Sequence, residues 1–161
     1  MKNCGIQAWL VICLMLALAS CDPGRLYEVN KNLEPTGWHY QNRIPFDVQI
    51  TDTVKFYNVL VNLRVASDYK YSNIFLWVHT TSPDKQTDKR RIEMKLADER
   101  GKWLGNGLGD LYDYQFPIYN RIKFPKSGFY RFEIEQNMRE DTLMHIKSTG
   151  IRVEEWRQEK E

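Results

Sequence analysis

The sequence predicts an all-β domain, an antiparallel β-sandwich of jelly-roll-like connectivity with about eight to ten short strands behind an N-terminal lipoprotein signal peptide. Three observations predict it. Apolar residues recur at every second position through most of the chain, the period of a strand with one wet face. Turn-forming Gly, Pro, Asn, Asp and Ser separate these runs at short intervals. Helical spacing occurs only in one short segment near the C-terminus.

The N-terminus follows different rules. Lys2 supplies a positive start, Gly5 to Leu18 an apolar stretch, and Leu18-Ala19-Ser20-Cys21 the small residues and cysteine of a bacterial lipoprotein processing site. A transmembrane helix needs about 20 apolar residues, and this run stops short of that at Asp22-Pro23-Gly24, a turn-forming set. The Cys21 thiol is the natural acceptor of a diacylglyceryl group, and cleavage before it frees an amine for a further acyl chain. One chain anchors marginally and two anchor stably. Residues 1–20 are therefore expected to be a cleaved signal peptide, and 21–34 the lipidated cysteine, a short tether and a first strand. Residues 35–157 should form a single sandwich domain, ending in a charged tail at 158–161. If Leu26 to Asn30 pairs as a strand, Asp22 to Arg25 spans at most about 14 Å, and the domain sits against its membrane.

The strands follow in order. Phe46, Val48 and Ile50 alternate with polar residues, and Tyr57, Val59, Val61, Leu63 and Val65 interleave with Asn58, Asn62 and Arg64. In Ile74 to Val78 the second face is also apolar, through Phe75 and Trp77, which predicts a central strand covered on both sides. Ile92, Met94 and Leu96 alternate with Arg91, Glu93 and Lys95. Tyr130, Phe132 and Ile134 alternate with Arg131, Glu133 and Glu135, and Ile151 and Val153 with Arg152 and Glu154. Asn106-Gly107 is the favoured pair for a tight type I′ hairpin turn. Within Asn137 to Lys147, Asp141 is placed to cap a helical turn carrying Leu143 and Ile146. Trp156 to Glu161 is expected to fray.

Removing residues 1–20 from the 161 leaves 141, enough for one self-supporting core. Cys4 and Cys13 leave with the signal peptide, so Cys21 stands alone and no disulfide forms. The remaining 22 basic and 21 acidic residues are interspersed, without the electrostatic footprint of a nucleic-acid binder. Lys89-Arg90-Arg91 reads as a solvated face.

Little in the chain points to catalysis. His39, His79 and His145 have no second ligand at a metal-binding spacing, no nucleophile elbow is present, and no metal or other cofactor is expected. Glu133 and Glu135 share one strand face about 7 Å apart, a spacing a glycosidase could use, but on an otherwise alternating strand they read as a solvated face. Asp110 and Asp113 are too few carboxylates for calcium, which takes six to eight oxygens. The most distinctive composition is Trp103-Leu104-Gly105-Asn106-Gly107-Leu108-Gly109-Asp110, which lacks the context of a phosphate-binding loop. Trp103, Asn106, Asp110 and Tyr112 are the candidate partner-binding residues, an aromatic anchor with polar neighbours. Two roles stay open for Trp103: reading a partner, or covering one end of the sandwich. Four tryptophans and nine tyrosines in the mature part also suit sugar stacking, so glycan binding is the second functional class.

Gly128-Phe129-Tyr130-Arg131-Phe132-Glu133-Ile134-Glu135-Gln136-Asn137-Met138-Arg139, followed by Leu143, Ile146 and Gly150-Ile151-Arg152-Val153-Glu154, resembles the gliding-motility lipoprotein family GldH. Tyr27-Glu28, the Tyr69 to Asn73 segment and Gly101-Lys102-Trp103-Leu104-Gly105-Asn106-Gly107 fall in the same order, so the resemblance spans the mature chain. It implies a small non-enzymatic envelope lipoprotein, held to a membrane through acylated Cys21. Its implied partners are proteins of the gliding and type IX secretion machinery. Cys21 is the one functional residue it carries over. Asp22-Pro23-Gly24-Arg25 lacks the acidic cluster of surface-exported lipoproteins in such bacteria, which points to the periplasmic face of the outer membrane.

Overall fold

The structure, a computed structural model, describes residues 24–107 and 109–158. Within them the chain is all β, and its order is β1 (Arg25–Asn32), β2 (Trp38–His39), β3 (Ile44–Ile50), β4 (Tyr57–Ala66), β5 (Asn73–Thr81), β6 (Thr87–Lys95), β7 (Asn106–Gly107), β8 (Leu111–Ile122), β9 (Gly128–Gln136), β10 (Thr142–Leu143) and β11 (Ile146–Glu155). One sheet has the order β1-β11-β4-β8-β7, the second β3-β9-β5-β6, and β10 pairs with β2. All pairings are antiparallel. Successive long strands mostly alternate between the two larger sheets.

The alternation in sequence is the alternation of burial. Ile44, Phe46, Val48 and Ile50 from β3 meet Tyr130, Phe132 and Ile134 from β9, and Val59, Val61, Leu63 and Val65 from β4, in one apolar core between the sheets. Each of these side chains is removed from water, and full burial of an aliphatic or aromatic side chain stabilises by about 1.5–3 kcal/mol. β5 is central in its sheet, as Phe75 and Trp77 predict, yet among the described residues no second layer covers them. The Arg91 guanidinium lies 4.1 Å from the Phe75 ring centroid and the Lys89 ammonium 4.1 Å from that of Trp77, so cations of the neighbouring strand half-cover both rings. Lys89-Arg90-Arg91 is thus exposed but stacked, with Arg90 4.4 Å over Tyr119.

Three local expectations change. Asn137 to Lys147 contains no helical turn. The buried Gln136 side chain donates to the Glu140 carbonyl at 2.8 Å and accepts from the Met138 N–H at 2.8 Å, which occupies the backbone groups a helix would use. Leu143 then pairs with Trp38, and the Asp141 carbonyl accepts from Tyr40 N–H rather than opening a helix. Asn106-Gly107 is not the hairpin turn but the short strand β7, paired with Asp113 and Tyr112. The chain reverses beyond it, where Gly109 takes φ +82°. Trp156 does not fray: its N–H donates to the Phe56 carbonyl at 2.8 Å and its ring is half-buried.

The outer face of the five-stranded sheet carries a polar network centred on Glu28. Its carboxylate accepts from Arg152 at 2.9 Å, Asn62 at 2.9 Å, Gln115 at 3.1 Å and Arg25 at 3.2 Å. Burial raises the Glu28 carboxyl, but hydrogen bonds from Arg25 and Asn62 and the Arg152 charge outweigh it and hold it below the ordinary carboxylate range. A folded pKa below the unfolded one contributes stability above the unfolded value of 4.5, lost as pH falls through the lowered folded value. Urea midpoints of the wild type should therefore fall more steeply with acid below about pH 4.5 than those of Glu28→Gln. Equal slopes would remove Glu28 from the acid response.

Candidate partner-binding loop and lipidation site

The glycine-rich segment is built as two stacked reversals at the start of β8. Asp98 organises the first, its Oδ1 accepting the N–H groups of Arg100 and Lys102, each at 2.9 Å. Leu104 N–H then bonds the Leu96 carbonyl at 2.8 Å and Trp103 bridges to Ala97, so the returning chain is tied to the end of β6. Gly105 and Gly107 follow because the chain passes too close to β8 for side chains. A Cβ at Gly105 would lie 2.6 Å from the Tyr114 ring, and one at Gly107 would run into the Leu111 carbonyl. Tyr114 is fixed there by its hydroxyl, which donates to the Leu96 carbonyl at 2.7 Å, and burial pushes its pKa up.

This brings together the candidates read from the sequence. The Trp103 and Tyr112 rings stack with centroids 5.4 Å apart and planes 29° apart. Trp103 is half-buried and packs against the core, so it covers the end of the sandwich while its stacked partner stays part-exposed. Asn106 and Asp110 are exposed around the pair, and the Asp110 carbonyl accepts from Ser67 N–H at 2.8 Å. Leu104, 54 % exposed, and Leu111, 40 % exposed, widen the patch. Sequence reading missed both leucines, since an exposed leucine looks like a core residue until the fold turns it outward.

The other candidates stand apart from one another. Asp113 does not join Asp110: its carboxylate takes a two-point grip on Arg64 at 2.7 and 2.9 Å. Glu135 is held by Arg43 at 2.9 Å and faces His79 Nε2 at 2.8 Å, an ion-pair cluster on the outer face of β9 and β5. His39 Nδ1 accepts from Gln41 N–H at 3.3 Å, and His145 occupies a left-handed turn at φ +68°. Among the described residues no group of three or more His, Cys, Asp or Glu side chains is placed to hold a metal ion. Cys21 and the signal-peptide residues lie outside the described residues. The nearest described residue, Gly24, is fastened by its carbonyl to Glu155 N–H at 2.8 Å.

The two regions occupy opposite ends of the domain. Tyr57 pairs with Glu155 and Ile122 at the end where Gly24 is fastened, whereas Ala66 pairs with Leu111 beside the loop. β8 runs the whole length, and its twelve residues span about 36 Å.

A family model described as GldH lipoprotein matches residues 25–153. The chain is 30 % identical over 161 residues to the gliding motility lipoprotein GldH of Flavobacterium johnsoniae, covering 96 % of this chain and 97 % of that protein. It is 29 % identical over 155 residues to a gliding motility lipoprotein GldH homolog of Christiangramia forsetii, covering 92 % and 94 %. Among solved structures, a chain of the infectious bursal disease virus VP2 subviral particle aligns with 80 % of this chain and 30 % of its own. That likeness, at 13 % identity and a TM-score of 0.34, is too weak to support an inference.

Proposed function

For this chain, which belongs to the GldH lipoprotein family, we propose a non-enzymatic role in the cell envelope. It is a lipid-anchored accessory subunit that supports gliding motility and the linked type IX secretion apparatus. Cys21 carries the lipid, and the domain stands on the periplasmic face of the outer membrane. The loop of Trp103, Asn106, Asp110 and Tyr112 reads a protein partner. The observation that carries this reading is the opposition of the two ends: the chain enters the fold at Gly24, beside Glu155, while the aromatic loop with exposed Leu104 and Leu111 lies at the far end of β8. A tethered subunit that holds a partner needs this separation of anchor from contact surface. The stacked Trp103 and Tyr112 supply a preformed anchor of the kind in which binding energy concentrates.

Substitutions in the loop test it. Trp103→Ala should lower stability by about 1–3 kcal/mol, because a stacked, half-buried ring is lost. Leu104→Ser with Asp110→Ala touches only exposed side chains and should stay within about 0.5 kcal/mol of wild type. Both variants should reduce spreading, release of type IX cargo and co-purification with envelope proteins. Wild-type spreading by the Leu104 and Asp110 double variant at normal abundance would move the working surface elsewhere.

A lipid-anchored carbohydrate-binding module is the second reading, favoured by Phe129. This ring is 61 % exposed in a groove of about 800 Å³ with Asp47, Arg131 and Glu133. A glycan-dependent change in tryptophan fluorescence that Phe129→Ala removes would support it over the accessory subunit.

A further inference from the structure

The end of the sandwich where the described chain begins gathers two aromatic rings and several cations. Phe56 and Trp156 meet edge to face with centroids 6.2 Å apart, directly beside Glu155, to which Gly24 is fastened. The Arg121 guanidinium lies 4.5 Å from the Trp156 ring centroid and 5.1 Å from that of Phe56, and the Lys123 ammonium lies 4.8 Å from Phe56. Arg121 and Lys123 are exposed, and no carboxylate among the described residues pairs with either. Their neighbour Lys55 is held by Glu155 at 3.0 Å. Beyond them Val54, 75 % exposed, stands at the tip of a turn. Asp52 fixes that tip by accepting the N–H groups of Val54 at 2.8 Å and Lys55 at 3.3 Å.

An apolar tip, an amphipathic tryptophan and unpaired cations are the side chains that the water–lipid boundary favours. Geometry brings that boundary to them. Gly24 is three peptide steps from Cys21, at most about 11 Å of fully extended chain, so a lipid on Cys21 holds this end against the headgroups. We infer that Val54, Phe56, Arg121, Lys123 and Trp156 form a membrane-contact surface that binds the anionic lipid headgroups of the bilayer in which Cys21 is anchored. This deepens the proposed function and rests on acylation of Cys21. The contact turns a loose tether into a fixed stance, with the Trp103 to Tyr112 loop presented about 36 Å away along β8.

The test uses the processed lipoprotein purified from cell membranes with Val54→Cys. Once Cys21 is acylated, this is the only free thiol of the mature chain, and it takes an environment-sensitive NBD fluorophore. The protein is reconstituted into phosphatidylethanolamine vesicles with or without phosphatidylglycerol. Phosphatidylglycerol should blue-shift the emission, raise it several-fold and protect it from iodide. Arg121→Glu with Lys123→Glu should abolish that gain, and a probe at Asn106→Cys should stay quenched throughout. A Val54 probe that stays open to iodide on floating vesicles overturns the contact surface. Protection that ignores both lipid charge and the charge reversal overturns the headgroup assignment. A chain that lacks the acyl mass and fails to float in high salt overturns the anchor itself, a failure distinct from the other two.

Discussion

Cys21→Ala is expected to abolish acylation and release the domain from its membrane. Diacylglyceryl transfer needs the thiol as nucleophile and alanine offers none, so incorporation of labelled palmitate should drop to background. Two acyl chains hold a protein stably where surface contacts alone do not. The variant should therefore leave the detergent phase on cloud-point extraction, and salt should free whatever remains on membranes. The lost anchor should abolish spreading even though the folded domain, which begins at Arg25, is untouched. A mature-sized Cys21→Ala protein that still partitions into the detergent phase would show that something other than the lipid anchors the chain.

Trp38→Ala should cause the largest loss of stability of any single change considered, about 3–5 kcal/mol. Trp38 is only 1 % exposed, its indole N–H donates to the Asn42 carbonyl at 2.8 Å, and its strand pairs with Leu143 of β10. Truncation empties a large site, strands a carbonyl and loosens the β2–β10 pair together. Domains of this size have about 5–15 kcal/mol in reserve, so the variant should be scarce in cells. Trp38→Phe keeps much of the volume and should cost less than half as much in urea unfolding. A loss below about 1 kcal/mol for Trp38→Ala, with an unchanged denaturant slope, would mean that this end folds independently of the core.

The strands were legible wherever one face is buried and the other wet, because a period of two admits a single register toward the core. Tyr130 to Ile134 follow that rule residue by residue, and Tyr57 to Val65 follow it except at Asn62, which is buried on the polar face beside Glu28. Reading failed where a side chain acts on a backbone that local pattern cannot locate. Gln136 holds Met138 and Glu140 in a loop that otherwise has helical spacing, and Asn106-Gly107 is drawn into a ladder with Tyr112 and Asp113. The second face of β5 misled for a related reason, since Phe75 and Trp77 are covered by cations from β6 rather than by another layer.

By itself the sequence determined the all-β class, the composition of the candidate loop and the Leu18 to Cys21 pattern on which the proposed lipidation rests, since each is written in residues close together along the chain. Only the tertiary structure decided what those parts face. Phe56, Arg121, Lys123 and Trp156 form one cluster from segments far apart in sequence, and Gly24 and the loop at Leu111 come to lie at opposite ends of the sandwich. The physical reason is that strand registers are set by burial across the whole sheet, so which loops share an end of the domain depends on pairings no local pattern encodes.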